Sequence, residues 1–156
     1  MIPPADDIDR LMAVMDTAFD PQFGEAWNRR QVEDALLIGN CHYFLIDEFG
    51  EPADQGQDAA GFYLSRSGFG EEELLLFAVS PNHRRKGLGR RILEKLRSDA
   101  LSRANTRLLL EMRHGNPAES LYRALGFLPI GRRPDYYRSQ NGVRIDAITF
   151  ATDLTD

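Results

Sequence analysis

The chain has 156 residues and a formal net charge of −5, with 42% hydrophobic and 28% charged residues. That composition belongs to a soluble globular chain able to bury one core, here expected as a single domain over Met1–Asp156, and it excludes a disordered or fibrous one. No apolar run approaches the ~20 residues of a membrane span, so no membrane association is expected. The acidic stretch Met1 to Asp9 lacks the basic and apolar regions of a signal peptide. The single Cys41 has no intrachain partner, which fits a reducing cytoplasm. Beside a strand it reads as a small buried hydrophobe.

Apolar positions Ile8, Leu11, Met12, Met15 and Phe19 recur at helical spacing. A second helix is predicted over Asn28 to Ile38, with Val32, Leu36 and Leu37 on one face and Gly39-Asn40 stopping it. His42 to Phe49 reads as a strand, polar Gly50 to Ala59 as a hairpin loop, and Ala60 to Arg66 as the returning strand. Ser67-Gly68-Phe69-Gly70 turns into Glu73 to Val79, whose apolar run suits a buried strand. Leu88, Ile92, Leu93, Leu96, Ala100 and Leu101 mark a long helix, and Arg107 to Met112 a buried strand. Ala118, Leu121, Tyr122 and Leu125 mark a short helix ending at Gly126. Phe127 to Arg132 and Val143 to Ala151 pair as the last strands around Ser139-Gln140-Asn141-Gly142. This order predicts an α/β (α+β) fold: a mixed, mostly antiparallel central sheet with helices on both faces.

The most informative stretch is Ser80 to Arg91, between a buried strand and a helix start. A helix N-terminus presents unpartnered N–H groups and a positive dipole end, and glycines let an anion approach the backbone. A mononucleotide P-loop needs Gly-Lys-Ser/Thr, but here Lys86 precedes the first glycine and Arg90-Arg91 follow the second. A dinucleotide fingerprint needs a third glycine, which Arg90-Arg91-Ile92 does not supply. Arg84-Arg85-Lys86-Gly87-Leu88-Gly89 instead fits Arg/Gln-x-x-Gly-x-Gly and resembles the GNAT N-acetyltransferase family. Six residues alone also fit a solvated basic turn. The resemblance implies that Arg84, Arg85, Lys86, Gly87, Leu88, Gly89 and Arg90 hold the pyrophosphate of acetyl-CoA. It further implies that the backbone of Phe77, Ala78 and Val79 pairs with the pantetheine arm. Basic charge confined to one turn of an acidic chain suits a phosphate-bearing co-substrate and argues against direct nucleic-acid binding.

A second motif runs from Leu110-Glu111-Met112 through Asn116-Pro117 to Leu121-Tyr122-Arg123-Ala124-Leu125-Gly126-Phe127. It resembles the family's strand-turn-helix half that ends Leu-Tyr-x-x-x-Gly-Phe, above all in bacterial enzymes that acetylate the N-terminal alanine of a ribosomal protein. Gly131 to Arg138 and Asp146-Ala147 fit that group as well, so the resemblance covers roughly residues 72 to 150. It implies Glu111 as the base and Tyr122 as the general acid of amide formation. Bottom-up, Glu111 also fits a strand-end carboxylate paired with an arginine, and Tyr122 also fits core packing. Asn116-Pro117 reads as a helix cap, since Asn caps well and Pro suits the first helical position. Asn116 lies six residues before Tyr122 where the family has seven, so its implied cofactor contact departs from the pattern.

Tyr136 and Tyr137 are placed on the loop between the last strands, either walling an acceptor peptide or forming a cross-strand pair. Asp135 and Glu25 are candidates to hold a cationic acceptor. His42, His83 and His114 lack metal-ligand spacing, so no metal is expected. Family members usually open with a strand; here only Met1-Ile2-Pro3-Pro4 is available, and its prolines cannot donate ladder hydrogen bonds. The expected partner is a protein N-terminus, ribosomal by resemblance, with a small amine as the alternative acceptor. A non-catalytic acyl-CoA sensor is the reading from another class. A monomer or weak homodimer is expected.

Overall fold

The computed structural model describes residues 3–154. Four helices and six strands follow the predicted order: α1 Ala5–Ala18, α2 Arg29–Leu37, β1 Cys41–Ile46, β2 Gly61–Gly68, β3 Glu71–Val79, α3 Leu88–Ser102, β4 Arg107–Arg113, α4 Glu119–Ala124, β5 Leu128–Arg138 and β6 Arg144–Asp153. Short 3-10 turns cover Pro21–Phe23 and Pro81–His83. The sheet order is β1-β2-β3-β4-β6-β5, with β3 and β4 the one parallel pair among the described residues. Successive side chains alternate across a strand. On β2, Phe62 and Leu64 therefore pack with Leu11, Met15 and Val32 of α1 and α2, while Tyr63 packs with Ile92 and Leu96 of α3 on the other face. The result is the expected mixed, mostly antiparallel sheet with helices on both faces, and an apolar core on each side of it.

Helix starts follow their local chemistry. Asn28 caps α2 through the N–H of Gln31 (2.9 Å), and Gln31 Oε1 accepts from Asn28 N–H (2.8 Å), a reciprocal capping box. Leu37 departs from its predicted face and is 59% exposed, while Val32 and Leu36 are buried. β1 stops at Ile46 rather than Phe49, because Asp47 Oδ1 accepts from the N–H groups of Phe49 (2.8 Å) and Glu51 (2.9 Å) and folds the chain into a turn.

β5 runs to Arg138, beyond the predicted Arg132. Tyr136 and Tyr137 thus lie on a strand and not on a loop. Pro134 is tolerated because β5 is a sheet edge, and a register shift between Arg133 and Tyr137 absorbs it, with Asp135 at φ 55°. Pro3 and Pro4 form no strand, and the Met1-Ile2 part of the possible opening strand lies outside the described residues.

Candidate active site

A bulge in β3 makes the site. Leu64 pairs with Leu76 and Ser65 with Leu74, so Leu75 is an extra residue. It switches the facing of the strand: Leu74 packs with the α3 core, whereas Leu76 and Ala78 pack with the α1 core. β3 pairs with β4 only from Glu71–Arg107 to Leu74–Leu110. Past the bulge the two parallel strands part, and their facing edges line an opening in the middle of the sheet.

The Ser80 N–H donates to Ala60 O (2.8 Å) across the β2 side. Strand alternation then aims the amides of Ala78 at β2 and those of Phe77 and Val79 into the opening. A groove of ≈ 1140 Å³ runs from there to the start of α3. At that start, Arg85 and Gly87 take left-handed φ of 66° and 76°. No side chain caps α3, and Arg91 is the first residue whose N–H finds a partner, at Gly87 O (3.2 Å). The N–H groups of Leu88, Gly89 and Arg90 are left facing outward from the helix end.

On the opposite side of the parted strands lies a second cavity of ≈ 430 Å³, lined by Glu25, Trp27, Glu111, Tyr136 and Tyr137. The α1–α2 loop, which supplies Glu25 and Trp27 to its wall, is tied to the turn between β5 and β6: Gln140 N–H donates to Gln22 O (2.9 Å). Glu111 Oε2 pairs with Arg133 Nε at 3.2 Å, the strand-end ion pair that the sequence allowed. Tyr136 and Tyr137 stack edge to face, ring centres 5.2 Å apart. Burial, then the charges of Glu111 and Glu25, push the Tyr137 phenol up to about 12.

Tyr122 stands where the two cavities meet. Its ring packs against Phe77 (6.2 Å) and edge-on to Phe127 (5.9 Å). Its hydroxyl has no hydrogen-bond partner among the described residues, yet it is not sealed in the core. Burial, then the Glu25 charge, raises this phenol well above its ordinary value. The core and cleft readings of Tyr122 therefore hold together.

A profile of the GNAT acetyltransferase domain matches residues 39–129. The chain belongs to the GNAT acetyltransferase family. It is 33% identical over 127 residues to the [ribosomal protein bS18]-alanine N-acetyltransferase of Escherichia coli K12, a match that covers 74% of this chain and 85% of the relative. The Salmonella typhimurium enzyme of the same name is 36% identical over 97 residues, 62% of this chain and 65% of its own. The crystal structure of the E. coli ribosomal-protein-S18-alanine N-acetyltransferase superposes with a TM-score of 0.80 at 26% identity, covering 100% of this chain and 93% of that one. An aminoglycoside 6′-N-acetyltransferase complexed with coenzyme A shares the fold (TM-score 0.73, 16% identity, 96% and 91% covered).

GNAT acetyltransferases use acetyl-CoA, and the residues of the groove fit it. The free helix end and the exposed Arg85, which lines the groove and makes no ion pair among the described residues, suit a pyrophosphate, while Lys86 is exposed beside them without lining the groove. The open edge at Phe77 and Val79 suits an amide-bearing arm. The side chains of several motif residues also make contacts within the fold. Arg84 donates to Ala18 O (2.7 Å) and Val79 O (3.3 Å), so its guanidinium closes the C-terminus of α1. Arg90 reaches Glu94 (3.8 Å), and the Leu88 side chain is buried in the core. Gly89 lines the groove, and a Cβ there would lie 3.2 Å from Phe77 Cζ and 3.3 Å from Leu121 Cδ2, so its glycine also makes room for this packing. Asn116 lines both cavities, and its Oδ1 accepts from Ala118 N–H (2.9 Å), but this is a turn ahead of the helix and not the predicted cap. α4 starts at Glu119, two residues after Pro117, with Ala118 as N-cap and no side-chain cap. Asp135 is turned to the hairpin, its N–H bonded to Asp146 Oδ1 (2.8 Å), and does not line the acceptor cavity.

The sequence singled out Glu25 only as a general cation holder. It pairs with Arg113 (Oε1 to Nε, 3.3 Å) across 88 residues, and Arg113 lies flat on Phe23 at 3.7 Å. No sequence pattern links a loop residue to a strand end at that separation.

Proposed function

We propose that the chain transfers acetyl from acetyl-CoA to the α-amine of a protein N-terminus, with an N-terminal alanine of a ribosomal protein as the acceptor. The observation that carries this reading is the acceptor cavity of ≈ 430 Å³ beside Glu111, walled by Trp27, Tyr136 and Tyr137. A chain end can enter such a cavity. An internal lysine must bring backbone on both sides to its mouth. The activity named for the E. coli and S. typhimurium relatives agrees.

The thioester of acetyl-CoA supplies the acyl group. The N–H groups at the start of α3, with Arg85 and Lys86, hold the pyrophosphate, and the Phe77 and Val79 backbone aligns the arm. Tyr122 Oη, free of other partners, donates its proton toward the leaving sulfur. Glu111 takes a proton from the acceptor ammonium through the oxygen that Arg133 does not hold. An α-amine titrates near 7.7–8.0 against ~10.4 for lysine, so at neutral pH it is the free base roughly a hundredfold or more often, and a carboxylate base suffices.

The test is an Ala-Arg peptide offered beside the same peptide with a blocked N-terminus and an internal lysine, and beside a panel of polyamines and aminoglycosides. Acetyl on the α-amine alone is the expected result. Acetyl on the lysine, or on small amines only, would move the acceptor assignment and leave the fold and co-substrate in place. Thiol release with none of these amines would favour an acyl-CoA sensor.

A further inference from the structure

Making an amide from an α-ammonium removes two N–H protons. One must leave before the nitrogen can attack, and a second leaves once nitrogen is bonded to carbon. One of these replaces the proton given to sulfur, and the other goes to solvent. Besides its acid, the site can use two proton acceptors, one that frees the amine in the acceptor cavity and one beside the acetyl carbon. Glu111 lines the acceptor cavity but not the acetyl-CoA groove. Phe19, Glu25, Phe77, Asn116 and Tyr122 line both, and so mark the junction where transfer takes place. Of these five, only Glu25 and Tyr122 carry ionisable side chains.

Glu25 is held at that junction. Its side chain is 16% exposed, and its Oε1 is fixed by Arg113, itself pinned on Phe23. Its Oε2 has no hydrogen-bond partner among the described residues. The charged and titratable groups that face it are Arg113 on β4, Tyr122 on α4 and Tyr137 on β5. Its charge reaches both phenols, adding to the effect of burial on each.

We infer that Glu25 is a further catalytic residue, the second proton acceptor, which takes the proton shed by the bonded acceptor nitrogen and returns it to Tyr122. The inference rests on the reading of Tyr122 as the acid. As C–N replaces C–S at the acetyl carbon, an N–H bond breaks and an O–H bond forms on Glu25 Oε2. That O–H then breaks as the Tyr122 O–H is remade, a downhill transfer from a carboxylic acid to a phenolate. Glu25 and Tyr122 end as they began, and the one surplus proton leaves through Glu111. No other reactant is needed.

The two carboxylates should separate with pH. Glu111→Gln removes the group that frees the amine, so its kcat on an Ala-start peptide falls at pH 7. It recovers to within about threefold of wild type at about pH 9.5, where an α-amine of pKa 7.7–8.0 is already neutral. Glu25→Gln, which keeps an oxygen for Arg113, lowers kcat by about 10²-fold or more at both pH values, and Glu25→Asp restores part of it. In the unloaded protein, peptide affinity and melting temperature of Glu25→Gln stay at wild-type values by calorimetry. A kcat for Glu25→Gln within about threefold of wild type at pH 7, or one that recovers at high pH as Glu111→Gln does, overturns the assignment. So does a Glu25→Gln protein that melts early and loses peptide affinity, since Glu25 then only props the loop. Wild-type turnover on the peptide tests the acceptor reading separately, because the variant ratios are taken on whichever amine wild type accepts.

Discussion

At the scale of single residues the proposed acid is the sharpest case. Tyr122→Phe keeps the ring contacts to Phe77 and Phe127 and removes a hydroxyl that bonds to nothing else. Turnover should fall by about 10²–10⁴-fold, while the melting temperature and acetyl-CoA affinity barely move. Equal turnover of the two proteins would reduce Tyr122 to packing. Burial lifts this phenol above its ordinary value, so the acid stays protonated through the working range. The rate of wild type should therefore show no fall between about pH 8 and 10, where an unperturbed tyrosine of pKa ~10 begins to lose its proton. A descending limb there, absent from Tyr122→Phe, would mean that the hydroxyl titrates normally.

At the scale of elements, two features hold the opening in shape. Gly87 sits at φ 76° just before α3, with no neighbour near its missing Cβ. Gly87→Ala should cost about 1–2 kcal/mol from left-handed strain alone, read by urea unfolding, with weakened acetyl-CoA binding if the turn rearranges. At the other end of the sheet, Glu72 is fully buried and accepts from Arg103 (3.0 and 2.5 Å), Ser65 (2.7 Å), Ser67 (3.2 Å) and Asn105 (2.9 Å). This network ties β2, β3 and the end of α3 together where β3 and β4 still pair. Burial pushes the Glu72 carboxyl up, but the hydrogen bonds of Arg103 and Ser65 and the Arg103 charge outweigh it, and the net shift is downward. A depressed carboxyl stabilises the fold above its unfolded value of ~4.3, and that stability is lost as pH falls through the lower folded value. Arg103→Met strands the charge and should cost about 3–5 kcal/mol at neutral pH. The deficit should shrink in acid as Glu72 protonates; urea midpoints that differ equally at pH 7 and pH 3 would refute this role.

The elements also show what a sequence can carry. The turn from Ser80 to Gly89 and the Leu110 to Phe127 half are legible because strand, glycine turn and helix follow one another locally, although the cap read at Asn116 is not formed. The Leu75 bulge is not, since a register shift in β3 depends on β2 and leaves no side-chain signature. Tyr136 and Tyr137 read as loop residues in the sequence, and only the sheet order shows that β5 is an edge on which a strand can run through Pro134. The packing of Gly89 on Phe77 and Leu121 and the contact of Arg84 with the Ala18 carbonyl leave no local signal, because those partners are distant in the chain. Glu25 reaches the site only through the folded path of the α1–α2 loop.

At the scale of the whole molecule, charge and topology divide the labour. The parted strands put a basic helix start on one side of the sheet opening and a carboxylate-bearing cavity on the other, within a chain of net charge −5. That field favours approach of a basic acceptor, and the on-rate should drop as salt rises toward the ~8–10 Å screening length of physiological buffer and beyond. The central claim is that a chain end, and not a side chain, enters the acceptor cavity. Tandem mass spectrometry of an Ala-Arg peptide carrying a free N-terminus and an internal lysine, after turnover with acetyl-CoA, tests it most directly. The account expects a single acetyl group on the α-nitrogen of alanine; an acetyl group on the lysine would contradict it.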